Sequence, residues 1–232
     1  MQVLQLVRVY HQGALSATFS FSNKCRETIY PAVLANSGRP PFPTSGFQLQ
    51  PGASASYSAP PSWSGRIWAR HRCSTDASGR FSCESGDCGS TKVECNGAAG
   101  RPPSTLAEFT LLNDFYDISN VDGFNVPIQI TASDGSCATV TCGADINAAC
   151  PAALAEKAAD GSTVGCKSSC LAFNTDEFCC RGAYGSPGTC KPSSYSMFFK
   201  QRCPQAYSYA YDDTSSTFTC ASGANYNIVF CP

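Results

Sequence analysis

The chain has 232 residues, a net charge of -1, and charged side chains at only 14% of positions. That length suits one large all-β domain or two small units, with a sizeable buried core. There is no Lys/Arg run and no apolar stretch of membrane-spanning length, which argues against a nucleic-acid partner and a transmembrane helix.

Sixteen cysteines stand beside 19 Gly and 15 Pro. An even count in such a background reads as a disulfide framework, and hence an oxidising, extracellular setting. Metal binding is the competing use of cysteine. The chain has only two histidines, His11 and His71, and no paired C-x-x-C modules, so that use is disfavoured and no metal or cofactor is expected. Adjacent Cys179 and Cys180 suit crosslinks to two places better than one tetrahedral ion.

Residues 1–16, MQVLQLVRVYHQGALS, hold a short apolar run broken by Gln5 and Arg8, a poor secretory hydrophobic region. They are expected to be a leader remnant or a mis-assigned start, outside the packed fold. Residues 17–25, ATFSFSNKC, alternate strictly, with Phe19 and Phe21 on one face and Thr18, Ser20 and Ser22 on the other. This is the pattern of a half-buried strand. Residues 29–61 read as short strands separated by Pro, Gly and Ser turns. Residues 64–73, SGRIWARHRC, predict a strand with Ile67 alternating against Arg66 and Trp68. Residues 74–100 read as a loop-like lobe stapled by cysteines.

Strand character returns at 106–112 and at 126–132, VPIQITA. Residues 145–159, DINAACPAALAEKAA, are the best helix candidate, with Asn147 as N-cap, Pro151 in the first turn and Gly161 as terminator. Cysteines crowd the region 142–203, which reads as a second, disulfide-held unit. Strands are expected again at 216–219 and 225–231. In the latter, NYNIVFC, the residues Tyr226, Ile228 and Phe230 share a face. A Cys25–Cys231 bridge would join the first strand to the last and close a very long loop.

The stretch 105–125, TLAEFTLLNDFYDISNVDGFN, gathers Glu108, Asp114, Asp117 and Asp122 in a chain otherwise sparing with charge. Acids this close repel one another unless water, hydrogen bonds or an arginine relieve them. The plain reading is that Asp122-Gly123 is a turn and that Asp114 and Asp117 cap backbone amides. The chain contains no G-x-S-x-G, P-loop, G-x-G-x-x-G or H-E-x-x-H motif. With so few histidines, any chemistry falls to carboxylates.

The run GRFSCESGDC at 79–88 is similar to the signature of the thaumatin-like proteins, plant pathogenesis-related proteins. SGRIWAR at 64–70, PPSTLAEFTL at 102–111, DFYDISNVDGFNVP at 114–127, CPQAYSYAYDD at 203–213 and the closing NYNIVFCP resemble that family in its order, across residues 17–232. Ser85 stands where the family usually has Thr, and Tyr30 where many members carry Trp. The resemblance implies a mainly β fold: an eleven-stranded antiparallel β-sandwich core (17–74, 105–141 and 204–232), a small disulfide-stapled loop domain (75–104) and a disulfide-rich, partly helical domain (142–203). It implies the bridges Cys25–Cys231, Cys73–Cys83, Cys88–Cys95, Cys137–Cys220, Cys142–Cys203, Cys150–Cys166, Cys170–Cys179 and Cys180–Cys190.

It also implies an acidic cleft between sandwich and helical domain. Matched motif by motif, the cleft residues fall on Arg66, Glu108, Asp117, Asp122 and Asp212, with Asp213 the neighbouring candidate for the last place. The functions that follow are expectations. One is a secreted defence protein, in the apoplast or cell wall, that binds fungal cell-wall β-1,3-glucan as a monomer. Acids can accept several sugar hydroxyls, and Phe115, Tyr116, Phe124 or Tyr209 could stack on sugar faces. Another is a weak endo-β-1,3-glucanase with Glu108 as acid, Asp122 or Asp117 as carboxylate, and Arg66 holding the cluster together. A third is docking to a fungal membrane protein, and a fourth is a stable extracellular protein with a vestigial cleft.

Overall fold

The computed structural model describes residues 16–220 and 223–232. Apart from Ser16, the expected leader at 1–16 lies outside the described residues. Two sheets packed face to face make the body of the protein. One runs in the order β3 (Ser54–Ser58), β1 (Thr18–Asn23), β13 (Tyr226–Phe230), β8 (Ile128–Ala132), β9 (Val140–Cys142). The other runs β12 (Phe218–Thr219), β7 (Phe115–Ser119), β6 (Leu106–Thr110), β4 (Ser64–Thr75), β2 (Tyr30–Ala35). A sixth strand, β5 (Phe81–Ser85), pairs with the far end of β4. Residues 74–100 are therefore not wholly loop: the Cys73–Cys83 bridge lies across that hairpin.

Alternation explains the core. Phe19 and Phe21 point inward from β1, and Tyr226, Ile228 and Phe230 do so from β13. Ile67, Phe109 and Ile118 meet them from the facing sheet. Phe19 stands edge-on to Phe109 at 4.8 Å, and Phe109 to Tyr226 at 5.0 Å, the geometry that aromatic quadrupoles favour. One pair departs from the antiparallel pattern of the rest of the sandwich. Strands β1 and β13 run parallel, with Phe19 beside Tyr226 and Phe21 beside Ile228. They are the first and last strands, so no short turn forces them to reverse.

All sixteen cysteines are bridged, in the pairs the resemblance implies. The helix expected at 145–159 does not form. A single 3-10 turn, Asn147–Ala149, precedes an extended Cys150, as suits a residue before proline. The chain then enters a two-stranded hairpin, β10 (Ala155–Lys157) with β11 (Thr163–Cys166). Cys150 is tied to Cys166, and Gly161 turns this hairpin instead of ending a helix. Asn147 caps nothing; its amide donates to the Asn125 carbonyl at 2.8 Å. The helices lie further on, as α1 (Ser169–Phe173), α2 (Asp176–Cys179), α3 (Ser194–Arg202) and α4 (Asp213–Ser216). The last takes the first residue of the strand expected at 216–219.

Buried polar side chains join these parts. Arg70 is wholly buried; its Nε donates to the Tyr30 carbonyl at 3.0 Å, and Nη2 to Val93 at 2.6 Å. Its guanidinium lies 5.5 Å over Phe81, which also packs edge-on against Tyr30 at 4.8 Å. Asn125, also buried, accepts from the Thr105 and Val126 amides and donates to the Ala69 carbonyl and the Ser85 hydroxyl. The hydroxyl that Ser85 keeps is therefore engaged. His71 sits between Glu27, 3.1 Å from Nδ1, and the Val164 carbonyl, 3.2 Å from Nε2, linking β4 to β11.

Replacing Asn125 by Ala leaves all four of those buried partners short of a bond at once. The expected loss is about 2–4 kcal/mol in urea denaturation with the bridges intact. Thr131→Ala, on the outward face of β8, should stay within about 0.5 kcal/mol.

Candidate functional site

Strand register sets the site. Arg66 on β4 lies opposite Glu108 on β6, and Glu108 lies opposite Asp117 on β7. The three form one row on the outer face of the second sheet, with neighbouring Cβ atoms about 4.5–5.5 Å apart. Farther along β4 the same face is roofed. Trp68 packs with Ala32, Leu106 and Cys95, and its indole donates to the Gly86 carbonyl at 2.9 Å. The roof stops short of the row, and a groove of about 390 Å³ opens there.

A turn at 120–123 forms one wall. The Gly123 amide bonds to the Asn120 carbonyl at 2.9 Å, and the Ser104 amide to the Asp122 carbonyl at 3.0 Å. Gly123 has φ +83, and a Cβ there would lie 2.6 Å from the Cys166 carbonyl oxygen and 2.7 Å from Pro103. The turn requires glycine, and it sets Asp122 in the groove lining. Paired bonds between Phe124 and Cys166, at 2.8 and 2.7 Å, fasten the turn to the β10–β11 hairpin.

The segment 207–213 supplies the other wall. Tyr207, Ala210 and Asp213 line the groove, and the Tyr207 hydroxyl donates to Asp213 at 2.9 Å and contacts Thr217. Asp212 turns away. Its Oδ2 accepts from the Ser208 amide at 3.0 Å and the Ser208 hydroxyl at 2.8 Å, and pairs with Lys200 at 3.0 Å. Of the two adjacent acids, Asp213 borders the groove and Asp212 ties the segment to α3. Arg66, Glu108, Asp117, Asp122 and Asp213 are thus brought together. Asp114 is not: it is buried at φ +50, and its carbonyl accepts from Cys220.

The aromatic candidates separate in the same way. Tyr116 and Phe124 are wholly buried core residues. Phe115 is 40% exposed and shares a face of β7 with Asp117, but does not line the groove. Tyr209 borders a smaller adjoining pocket. Tyr207, Ser119 and Val121 line the groove without having been expected there. The alternating Tyr207, Tyr209 and Tyr211 beside an acid pair was the available signal for the first of them.

Burial, the Glu108 charge and the Asp213 charge together push the Asp117 carboxyl up to about 8. Burial also raises Glu108, with Asp122 adding to the shift and Arg66 opposing it. Among the described residues Arg66 makes no ion pair, so it acts on Glu108 through its field and not by direct contact. Asp117 Oδ1 and Arg66 Nε are both buried without a hydrogen-bond partner. At mildly acidic pH the row therefore holds one neutral carboxylic acid that can donate as well as accept.

The folded protein keeps the Asp117 proton up to about pH 8, whereas the unfolded chain releases it near 3.8. Between those values the unfolded state binds fewer protons, so this group lowers stability as pH rises through the window. Access of the groove to water moderates the effect. Asp117→Asn should gain about 1–3 kcal/mol over the native protein at pH 8 and nothing at pH 3, measured by urea denaturation at each pH.

Comparison with known proteins agrees with this architecture. The model of the thaumatin family matches residues 23–232. A thaumatin-like protein 1 from Pyrus pyrifolia is 53% identical over 228 residues, spanning 96% of this chain and 93% of the relative. A protein of Prunus avium named glucan endo-1,3-beta-glucosidase is 47% identical over 235 residues, spanning 99% and 96%. The solved structure of the thaumatin-like xylanase inhibitor TLXI superposes with a TM-score of 0.51 at 23% identity, covering 92% of this chain and 99% of that one, and bears on the fold alone. On this evidence the chain belongs to the thaumatin family.

Proposed function

We propose that this is a secreted plant defence protein that binds the β-1,3-glucan of fungal cell walls in the groove. The observation that carries the reading is the unpartnered pair inside it, Asp117 Oδ1 and Arg66 Nε, beside Glu108, whose carboxyl is also raised. Buried polar atoms without partners are rare in folded proteins and point to a missing ligand. A cation would suit ionised acids, but a neutral Asp117 suits a polyol, whose hydroxyls both donate and accept. Family membership and the bridge framework support secretion and a defence role.

Hydrolysis of the bound chain is a second reading, and the split among the acids favours it. Cleavage of a glycosidic bond needs one protonated carboxyl and one ionised carboxylate. Asp117 is pushed up to about 8 and Glu108 is raised as well, so in this reading Asp117 takes the acid role that the sequence reading gave to Glu108. Asp122, on the facing turn, would then be the carboxylate that serves as nucleophile or base. In this reading the acid's proton goes to the leaving oxygen as the glycosidic bond breaks, water's oxygen bonds to the anomeric carbon to make the new reducing end, and water's proton passes to a carboxylate of the pair. The name of the Prunus avium relative is consistent with this chemistry.

Retention on insoluble β-1,3-glucan tests the binding. Glu108→Gln should reduce retention about tenfold or more, since hydrogen bonds to a charged acceptor contribute about 1.5–3 kcal/mol. Unchanged retention would place the ligand elsewhere. Native retention should weaken as pH rises through about 8, where Asp117 loses its donor, and Asp117→Asn should flatten that profile while still binding. Absence of new reducing ends from linear β-1,3-glucan at pH 5 would eliminate hydrolysis.

A further inference from the structure

A second, smaller depression of about 50 Å³ adjoins the groove, and Val121 and Ala210 line both. Its chemistry differs. The groove is lined by Arg66 and four acids, whereas the depression has no charged residue in its lining and carries two aromatic rings, Phe178 and Tyr209. Phe178 belongs to α2, which Cys179 pins to Cys170 of α1. Phe173 backs its ring at 5.5 Å, and Tyr195 stands edge-on at 5.9 Å. The bridge and the two neighbouring rings hold Phe178 in place. Tyr209 is partly exposed and lies in the chain next to Ala210, which lines both depression and groove.

A sugar ring has a polar rim and an apolar C–H face. Acids serve the rim, and an aromatic face serves the other. We propose that this depression is a stacking subsite for the same neutral glycan chain, reached past Val121 and Ala210. Affinity then rises with chain length once the chain extends beyond the groove. The proposal rests on the groove-binding reading above and assigns its specificity for longer chains to Tyr209 and Phe178. The depression is too shallow to engulf a ring, so it takes one face of the sugar and leaves the other in water. Joining two weak contacts through one chain raises affinity without any new contact in the groove.

The test is a ladder of soluble β-1,3-linked oligosaccharides, from disaccharide to heptasaccharide, titrated calorimetrically against the native protein, Tyr209→Ala, Tyr209→Phe and Glu108→Gln. The native protein should bind more tightly as the chain lengthens. Tyr209→Ala should leave the shortest binding oligosaccharide within about twofold and weaken the longest by about tenfold, with Tyr209→Phe restoring the difference. Glu108→Gln should weaken every length. Phe178→Leu, which keeps an apolar side chain in the platform, should repeat the selective loss on long chains. An equal loss at all lengths in Tyr209→Ala, or none, would overturn the subsite while leaving the groove in place. Failure of the native protein to bind any length would overturn both.

Discussion

The constraint on which the rest depends is the register of three neighbouring strands. Once β4, β6 and β7 pair as they do, Arg66, Glu108 and Asp117 must stand side by side on one face. A one-residue slip would move all three to the opposite face, among Ile67, Phe109 and Ile118. Burying charges in that core is far more costly than holding them in an open groove. The apolar side of the sheet thus fixes the polar side, and the groove follows from how the sandwich packs. Like charges opposite one another oppose pairing. Here the strain is relieved by protonation of Asp117 and by the field of Arg66, not by separation of the groups.

The groove walls are not sheet, and they need other anchors. The turn at 120–123 is held by Gly123 and by bonds to Cys166, a residue that is itself bridged to Cys150. Asn125 fixes the chain just after that turn to β4 and β5, and His71 draws β11 toward the sandwich. The 207–213 wall is tied down through Asp212 and Lys200. A crosslinked hairpin and Gly123 thus place Asp122, and the Asp212–Lys200 pair places the segment that carries Asp213. A site assembled from separate segments needs such support to hold its geometry.

Much of this was legible in the residues. Strict alternation marked β1 and β13, because a half-buried strand leaves a period of two. The acid-rich stretch marked the groove, although one of its four acids, Asp114, is buried outside the groove lining. What local pattern could not give was anything decided at a distance. The alanine-rich run at 145–159 has helical propensity, but the Cys150–Cys166 bridge and pairing with β11 override it. The parallel pairing of β1 with β13 joins residues at opposite ends of the sequence and leaves no local trace. Whether Asp212 or Asp213 faces the groove turns on where a four-residue helix begins and on a lysine in another helix. Adjacent identical residues carry no such information.

The parallel seam between the first and last strands, sealed by Cys25–Cys231, has a topological consequence. Between those two cysteines the polypeptide is a closed covalent circle. Cutting any one peptide bond inside it opens the circle but releases no fragment. The severed ends remain attached through the seam and the smaller circles within it. A protein closed this way can be nicked once by a protease and stay in one piece.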